Sequence, residues 1–405
     1  MTLANPARGR TKPLLASAAC FAAVFTLVLN RNFYERTAND VFLSVLMASV
    51  MIVFVYIRPW REVWLLVAVF VLLVAGQMLV CRVSLSAAPA GAVLGVTTLL
   101  LLGLRRIWSV ILEERSLLSL GLLPPLLFVI LAYFSPSLLD ATDRLHPKTL
   151  DLYLYAFDGS LGMQPSFVVG RVVLQSWLLT RVCVFCYYAL PSALMLVYAQ
   201  QLVRRGRAAL CVFLAFFLAS PVGIILYNLF PACGPIYLFP AQFPKEPMTV
   251  SQVRELFLQP VALTGARNAF PSLHMAWALL ALWCGQGLSA GTRILLMLFL
   301  AGTVLATLGL GEHYFIDLVA AVPFSLMVRA ATAEGIPIGD RRRFEILLSG
   351  LLWMVAWVGL LRFGMGIMRM TLLIPWTLVV CSILSCIVWQ ARLPGLGRDV
   401  NVGSP

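Results

Sequence analysis

The chain has 405 residues, 61% of them hydrophobic and only 12% charged, with a formal net charge of +13. Soluble domains carry about 25% charged residues, so half that fraction, with the apolar residues in long blocks, excludes a soluble globular or disordered chain and predicts an integral membrane protein. All but three of the 30 basic residues are arginine, and they fall in short gaps between apolar blocks, which is the pattern of cytoplasmic loops and not of a nucleic-acid-binding surface.

A bilayer core takes about 20 apolar helical residues per crossing. Runs of that length predict spans near 14–30, 41–57, 63–80, 85–104 and 117–135, then 182–203, 208–230, 271–289, 292–311, 313–333, 345–361 and 370–390. The expected fold class is therefore all-α, a polytopic membrane bundle of about twelve spans. The opening stretch "MTLANPARGRTKPLLASAACFAAVFTLVLN" has the basic head and apolar core of a signal peptide. It runs into a second apolar block at Val41 and reads as a retained first span.

Two segments outside the spans are long, 136–181 and 231–270. "ARGRTK", "RPWRE", "RRIWSVILEER", "RRGR" and "GDRRRF" gather the larger share of the basic residues on one side. Both termini are expected to be cytoplasmic and both long loops extracytoplasmic, with the plasma membrane the expected location. The nine cysteines are scattered. "CVFC", Cys183 to Cys186, lies in an apolar helical run and reads as packing, and no disulfide framework is visible. Cys233, in a loop, is the one cysteine near the residues that carry chemistry.

Those residues begin at "RNAFPSLHMAWALL", Arg267 to Leu280. His274 stands at the outer start of the eighth predicted span. His313, in "GLGEHYFID", follows 39 positions later, between the ninth and tenth. One helical hairpin uses up that interval and returns the chain to the same face, so the two imidazoles should share a membrane level. Asp317, one turn after His313, can reach its ring. A carboxylate that fixes an imidazole makes the other ring nitrogen a nucleophile, and a second histidine can protonate a departing oxygen. Ser272 and the N–H groups of a helix start suit an anion, and the planar fork of Arg267 fits phosphate oxygens. The pattern describes phosphoryl transfer through a phosphohistidine. Taken singly, each residue has a plainer explanation: a solvated histidine, a helix cap at Ser272, a polar Asp317 facing the bundle interior.

P-S-x-H followed by H-x-x-x-D resembles the type-2 phosphatidic acid phosphatase superfamily. "AFPSLH", "HYFID", "YNLFPACGPIY" and "LDLYLYAFDGSLGMQPS" are similar to its branch containing inositol phosphorylceramide synthase. The resemblance covers about 140–335. It implies a six-helix phosphatase-type catalytic core, with His313 as nucleophile, Asp317 as its orienting partner, His274 as general acid and Ser272 as phosphate ligand. It divides the chain into accessory spans over 1–135, a catalytic domain over 136–340 and C-terminal spans with a tail over 341–405.

Two cations of the superfamily are missing. No lysine stands seven residues before an Arg-Pro, and the arginine expected six residues before the third-motif histidine is Thr307. Arg267 is the candidate replacement, ahead of Lys245 and Arg254. That loss favours a phosphodiester donor, which carries less charge. The implied enzyme is an inositolphosphotransferase-like lipid phosphotransferase taking a lipid phosphate ester and a hydroxyl acceptor, with a water-accepting lipid phosphatase as the alternative. A transporter or scaffold is the alternative of another class; the few charges in the spans and the lack of paired broken helices in matching halves speak against it. His146, Asp151 and Asp158 read as ordinary loop residues. No two histidines have metal-ligand spacing, and the chemistry calls for neither metal nor cofactor. Headgroup, acceptor and oligomeric state are not legible.

Overall fold

The computed structural model describes residues 11–393 except Val83 and Leu85. The C-terminal tail and most of the basic head, both expected to be cytoplasmic, lie outside the described residues. Contacts divide the chain into two compact units, Met1–Tyr133 with Pro191–Leu210, and Phe134–Leu190 with Cys211–Pro405.

The first unit contains α1 (Thr11–Val28), α2 (Arg31–Asn39), α3 (Val41–Ile57), α4 (Trp60–Cys81), α5 (Ala87–Trp108) and the first part of α6 (Leu112–Leu145). α3 starts where the Asp40 carboxylate accepts the Leu43 N–H at 2.8 Å, a side-chain N-cap. Its main neighbour is α5. A Cβ on Gly95 would overlap the Met47 carbonyl, so glycine lets the two backbones touch, as small residues do between membrane helices. Arg58, nearly buried, pairs with Glu62 at 2.6 Å and Glu114 at 2.9 Å, so these charges of the spanning region neutralise one another.

The second unit contains β1 (Lys148–Thr149), α7 (Asp151–Ser160), α8 (Pro165–Gln175) and the start of α9 (Trp177–Arg205). It continues with α10 (Leu210–Leu229), α11 (Pro235–Leu238), α12 (Val250–Glu255), β2 (Val261–Ala262), α13 (Leu273–Cys284), α14 (Ala290–Gly309) and α15 (Phe315–Ala331). α16 (Arg341–Phe363), α17 (Met365–Met368) and α18 (Leu373–Ala391) complete it. The short antiparallel pair β1–β2 joins the two long loops, Lys148 opposite Ala262 and Thr149 opposite Val261. α15 is the buried hub, packed against α13, α16 and α18. Gly350 of α16 approaches the Pro323 carbonyl of α15 so closely that a Cβ would sit 2.8 Å from it. The packing therefore continues across the expected boundary at residue 340.

Apart from that strand pair the regular structure among the described residues is helical, and seven helices are long and apolar enough to cross a membrane, or eight if each bent pair is one span. The difference from twelve has local causes. The expected spans 182–203 and 208–230 fall on α9 and α10, which run on through a short 3-10 turn at Gly206–Ala209 and count together as one stretch, Trp177–Leu229. The expected first span falls on α1, which is followed at once by the polar α2 at an angle of 62°. α3 and α15 have 17 residues each, and helix covers only 12 residues of the expected span 271–289.

Candidate active site

The site forms where the starts of α13 and α15 meet. Ser272 is the N-cap of α13: its hydroxyl accepts the Met275 N–H at 3.3 Å. The Ser272 N–H donates to the Asp317 carbonyl at 3.2 Å, which ties the two helix starts together. α13 leads away from the site and α14 returns, and Gly311, at φ 78°, turns the chain into His313. The His274 and His313 rings lie 6.3 Å apart, centroid to centroid. Two imidazoles at that separation can contact one phosphorus centre from opposite sides. Tyr187 stacks on His274 at 3.9 Å and 24°, fixing the plane of that ring.

His313 is held on three sides. Its N–H donates to the Thr307 carbonyl at 3.1 Å, and its carbonyl accepts the Ser166 hydroxyl at 3.0 Å. Nδ1 lies 3.0 Å from the Ala269 carbonyl. A carbonyl only accepts, so the proton is on Nδ1 and the lone pair on Nε2. Asp317 Oδ2 lies 3.5 Å from Nδ1, an ion-pair distance once the ring carries charge. The same oxygen accepts the Tyr314 N–H at 2.7 Å, capping α15. The ring is thus oriented by Ala269, while Asp317 contributes negative charge beside it. Burial pushes His313, in the loop before α15, down to about 4, against Glu312 and the Ala269 carbonyl, which favour protonation. It is a neutral imidazole near neutrality.

Arg267 does not join the pair. Its guanidinium is buried and all five donors are spent. Nε donates to the His146 carbonyl at 3.1 Å, and Nη2 to Leu263 at 3.0 Å and Pro147 at 3.4 Å. Nη1 meets the Gly265 carbonyl and the Asp143 carboxylate. The expected phosphate ligand is instead a clamp between the two long loops, because the carbonyls of two irregular segments need donors that no regular element supplies. Thr307, in the position of the missing arginine, donates to the Thr303 carbonyl at 2.8 Å within α14.

Asp151 and Asp158, read above as ordinary loop acids, are fully buried. Asp158 accepts the Phe315 N–H at 2.8 Å and the Ile316 N–H at 3.1 Å, so the first turn of α15 is capped from α7. Asp151 accepts the Gly234 N–H at 2.8 Å, the Cys233 N–H at 3.1 Å and the Tyr314 hydroxyl at 3.0 Å. Burial raises both acids, opposed by these donors. Their spacing of seven on one helical face of an apolar segment was the available signal. His146 Nε2 lies 3.2 Å from Asn228 Oδ1.

Residues 152–331 match the family model described as the PAP2 superfamily. The match spans less than half of the chain and contains both histidines, Ser272 and Asp317. It supports the superfamily for this PAP2 segment, and with it a phosphatase-type lipid enzyme embedded in a membrane. No curated protein and no solved structure matches the chain.

Proposed function

We propose that the protein is a lipid phosphotransferase that moves a phospho-headgroup from a phosphodiester lipid to a hydroxyl acceptor through a phosphohistidine, in the manner of inositolphosphotransferases. The observation behind this reading is the 3.0 Å contact between His313 Nδ1 and the Ala269 carbonyl, from which the proton is assigned to Nδ1. That leaves Nε2 as the nucleophile, on a ring 6.3 Å from a second imidazole. The anionic ester draws a proton onto His274; Nε2 of His313 then attacks phosphorus, the bond to the lipid oxygen breaks, and the His274 imidazolium gives that oxygen its proton. The phosphorylated ring keeps its Nδ1 proton and is cationic, and Asp317 offsets that charge. His274, now basic, takes the proton of the entering alcohol, whose oxygen attacks phosphorus and releases Nε2. Ser272 and the start of α13 bind the phosphate oxygens.

A diester donor fits a site without the superfamily's cations, since it brings one negative charge where a monoester brings nearly two. Residues 1–135 are accessory spans in this reading, 136–340 the catalytic domain and 341–405 the C-terminal spans and tail. The arginine distribution supports cytoplasmic termini in a plasma-membrane protein with an extracytoplasmic site. The test is to incubate purified protein with phospholipids labelled at phosphorus, with and without alcohol acceptors. Acid-labile label should attach to the protein, vanish in His313→Ala and pass to the alcohol. Label retained by that variant refutes the mechanism, and release to water with no alcohol present identifies a phosphatase.

A further inference from the structure

Three of the four acids at this site are spent on backbone N–H groups; the fourth is not. Glu312 immediately precedes His313 and is half-buried. The hydrogen bond to its carboxylate comes from the Tyr237 hydroxyl, 3.2 Å from Oε2. Among the described residues no lysine or arginine pairs with it. The groups that interact with it electrostatically are His313, Tyr187 and Tyr237, each uncharged near neutrality.

Its place is fixed from both sides. The Ile236 N–H donates to the Gly311 carbonyl at 3.0 Å. Gly234, at φ 129°, lies so close that a Cβ would sit 2.5 Å from the Glu312 carbonyl oxygen. Tyr237 rests on Gly265, where a Cβ would come within 2.8 Å of its ring. The Glu312 backbone is therefore fixed, and its carboxylate is held through the Tyr237 hydroxyl.

Resting on the reading of His313 as the nucleophile, we infer that Glu312 is a specificity-determining residue, a charge filter that admits singly charged phosphorus esters and rejects doubly charged ones. A fixed negative charge that already acts on the His313 ring, in partly desolvated surroundings, repels a dianion roughly twice as strongly as a monoanion. The second charge is expected to weaken binding by about 10- to 100-fold.

The test uses two unreactive probes, phenylphosphonate at a pH where it is dianionic and its monomethyl ester, a monoanion. Binding of each is measured to the full-length protein in detergent, to Glu312→Gln and to Tyr237→Phe. Glu312→Gln keeps the shape and can still accept the tyrosine hydroxyl, and it should improve the dianion-to-monoanion affinity ratio by at least about tenfold. Tyr237→Phe removes the hydrogen bond but keeps the charge, and should leave the ratio within a few-fold of wild type. An unchanged ratio in Glu312→Gln overturns the filter, as does an equal gain in Tyr237→Phe. If Glu312→Gln does not fold, Glu312→Ala is read by the same criterion. Wild-type protein that binds neither probe refutes the phosphorus-binding reading itself, a failure visible before any variant is made.

Discussion

Asp158 stands on α7, more than 150 residues from His313 in the chain, yet its carboxylate holds the first turn of α15, directly after the proposed nucleophile. Asp158→Ala would leave the Phe315 and Ile316 N–H groups without an acceptor in a buried place. A buried donor stripped of its partner costs about 1–3 kcal/mol, so the pair should cost roughly 2–6 kcal/mol. Asp158→Asn keeps one accepting oxygen and should lose about half of that. Stability is read from the midpoint of an SDS titration of purified protein, and transfer from the rate of phosphoenzyme formation. Alanine should lower the midpoint more than asparagine. Both should slow phosphoenzyme formation by about tenfold or more, since a displacement of about 1 Å at a reacting group costs up to 10²-fold. Unchanged stability and rate in Asp158→Ala would refute the reasoning that α7 positions His313.

The remaining expectations concern protonation and the arginine clamp. Neutral His313 is the reactive form, and burial depresses it to about 4. Phosphoenzyme formation should therefore hold as pH falls below the ordinary imidazole range and decline only as pH nears about 4, where protonation removes the Nε2 lone pair; rapid-quench rates across pH would reveal a His313 limb near 6.5 if the depression is absent. Arg267→Lys keeps the positive charge but cannot reach five acceptors, so it should lower the SDS midpoint with little change in KM for the donor lipid. A raised KM with normal stability would mean that the guanidinium touches phosphate after all.

The proximity of the two histidines was legible because membrane helices have restricted lengths: one hairpin between His274 and His313 leaves little choice of where the chain returns. The i, i+4 step to Asp317 was legible as a spacing, though the 3.5 Å contact forms across the capping turn that opens α15 and not within a helix. The Ala269 carbonyl that accepts the hydrogen bond from Nδ1–H was not, because every residue type offers the same carbonyl. Arg267 misled for a related reason. A guanidinium suits phosphate and backbone carbonyls equally well, and only the folded loops show five acceptors converging on it. Helix length and span count part where helices are shielded by protein: α13, 12 residues long, and α15, carrying Asp317 and Arg329, need not meet a length or polarity rule set by lipid.

The acids bear most directly on the chemistry. The chain has only 17 Asp and Glu residues, and three of them, Asp151, Asp158 and Asp317, are fully buried around one loop junction. Burying a carboxylate is costly unless donors surround it, and here the donors are N–H groups of residues 233–234 and 314–316, joined at Asp151 by the Tyr314 hydroxyl. Each such bond ties a loop beside the histidines to α7 or to the start of α15. The arrangement has a consequence for phosphate. The N–H groups that open α15, the kind of donors that often bind an anion, are already taken by protein carboxylates. An incoming phosphate must then turn to the start of α13, to Ser272 and to the imidazoles. Those are a hydroxyl, N–H groups and two imidazoles, with Glu312 close by and the Arg267 guanidinium already spent on loop acceptors. A site built in this way stabilises a singly charged ester far better than a doubly charged one, which is the physical reason to expect transfer between alcohols in preference to removal of a terminal phosphate.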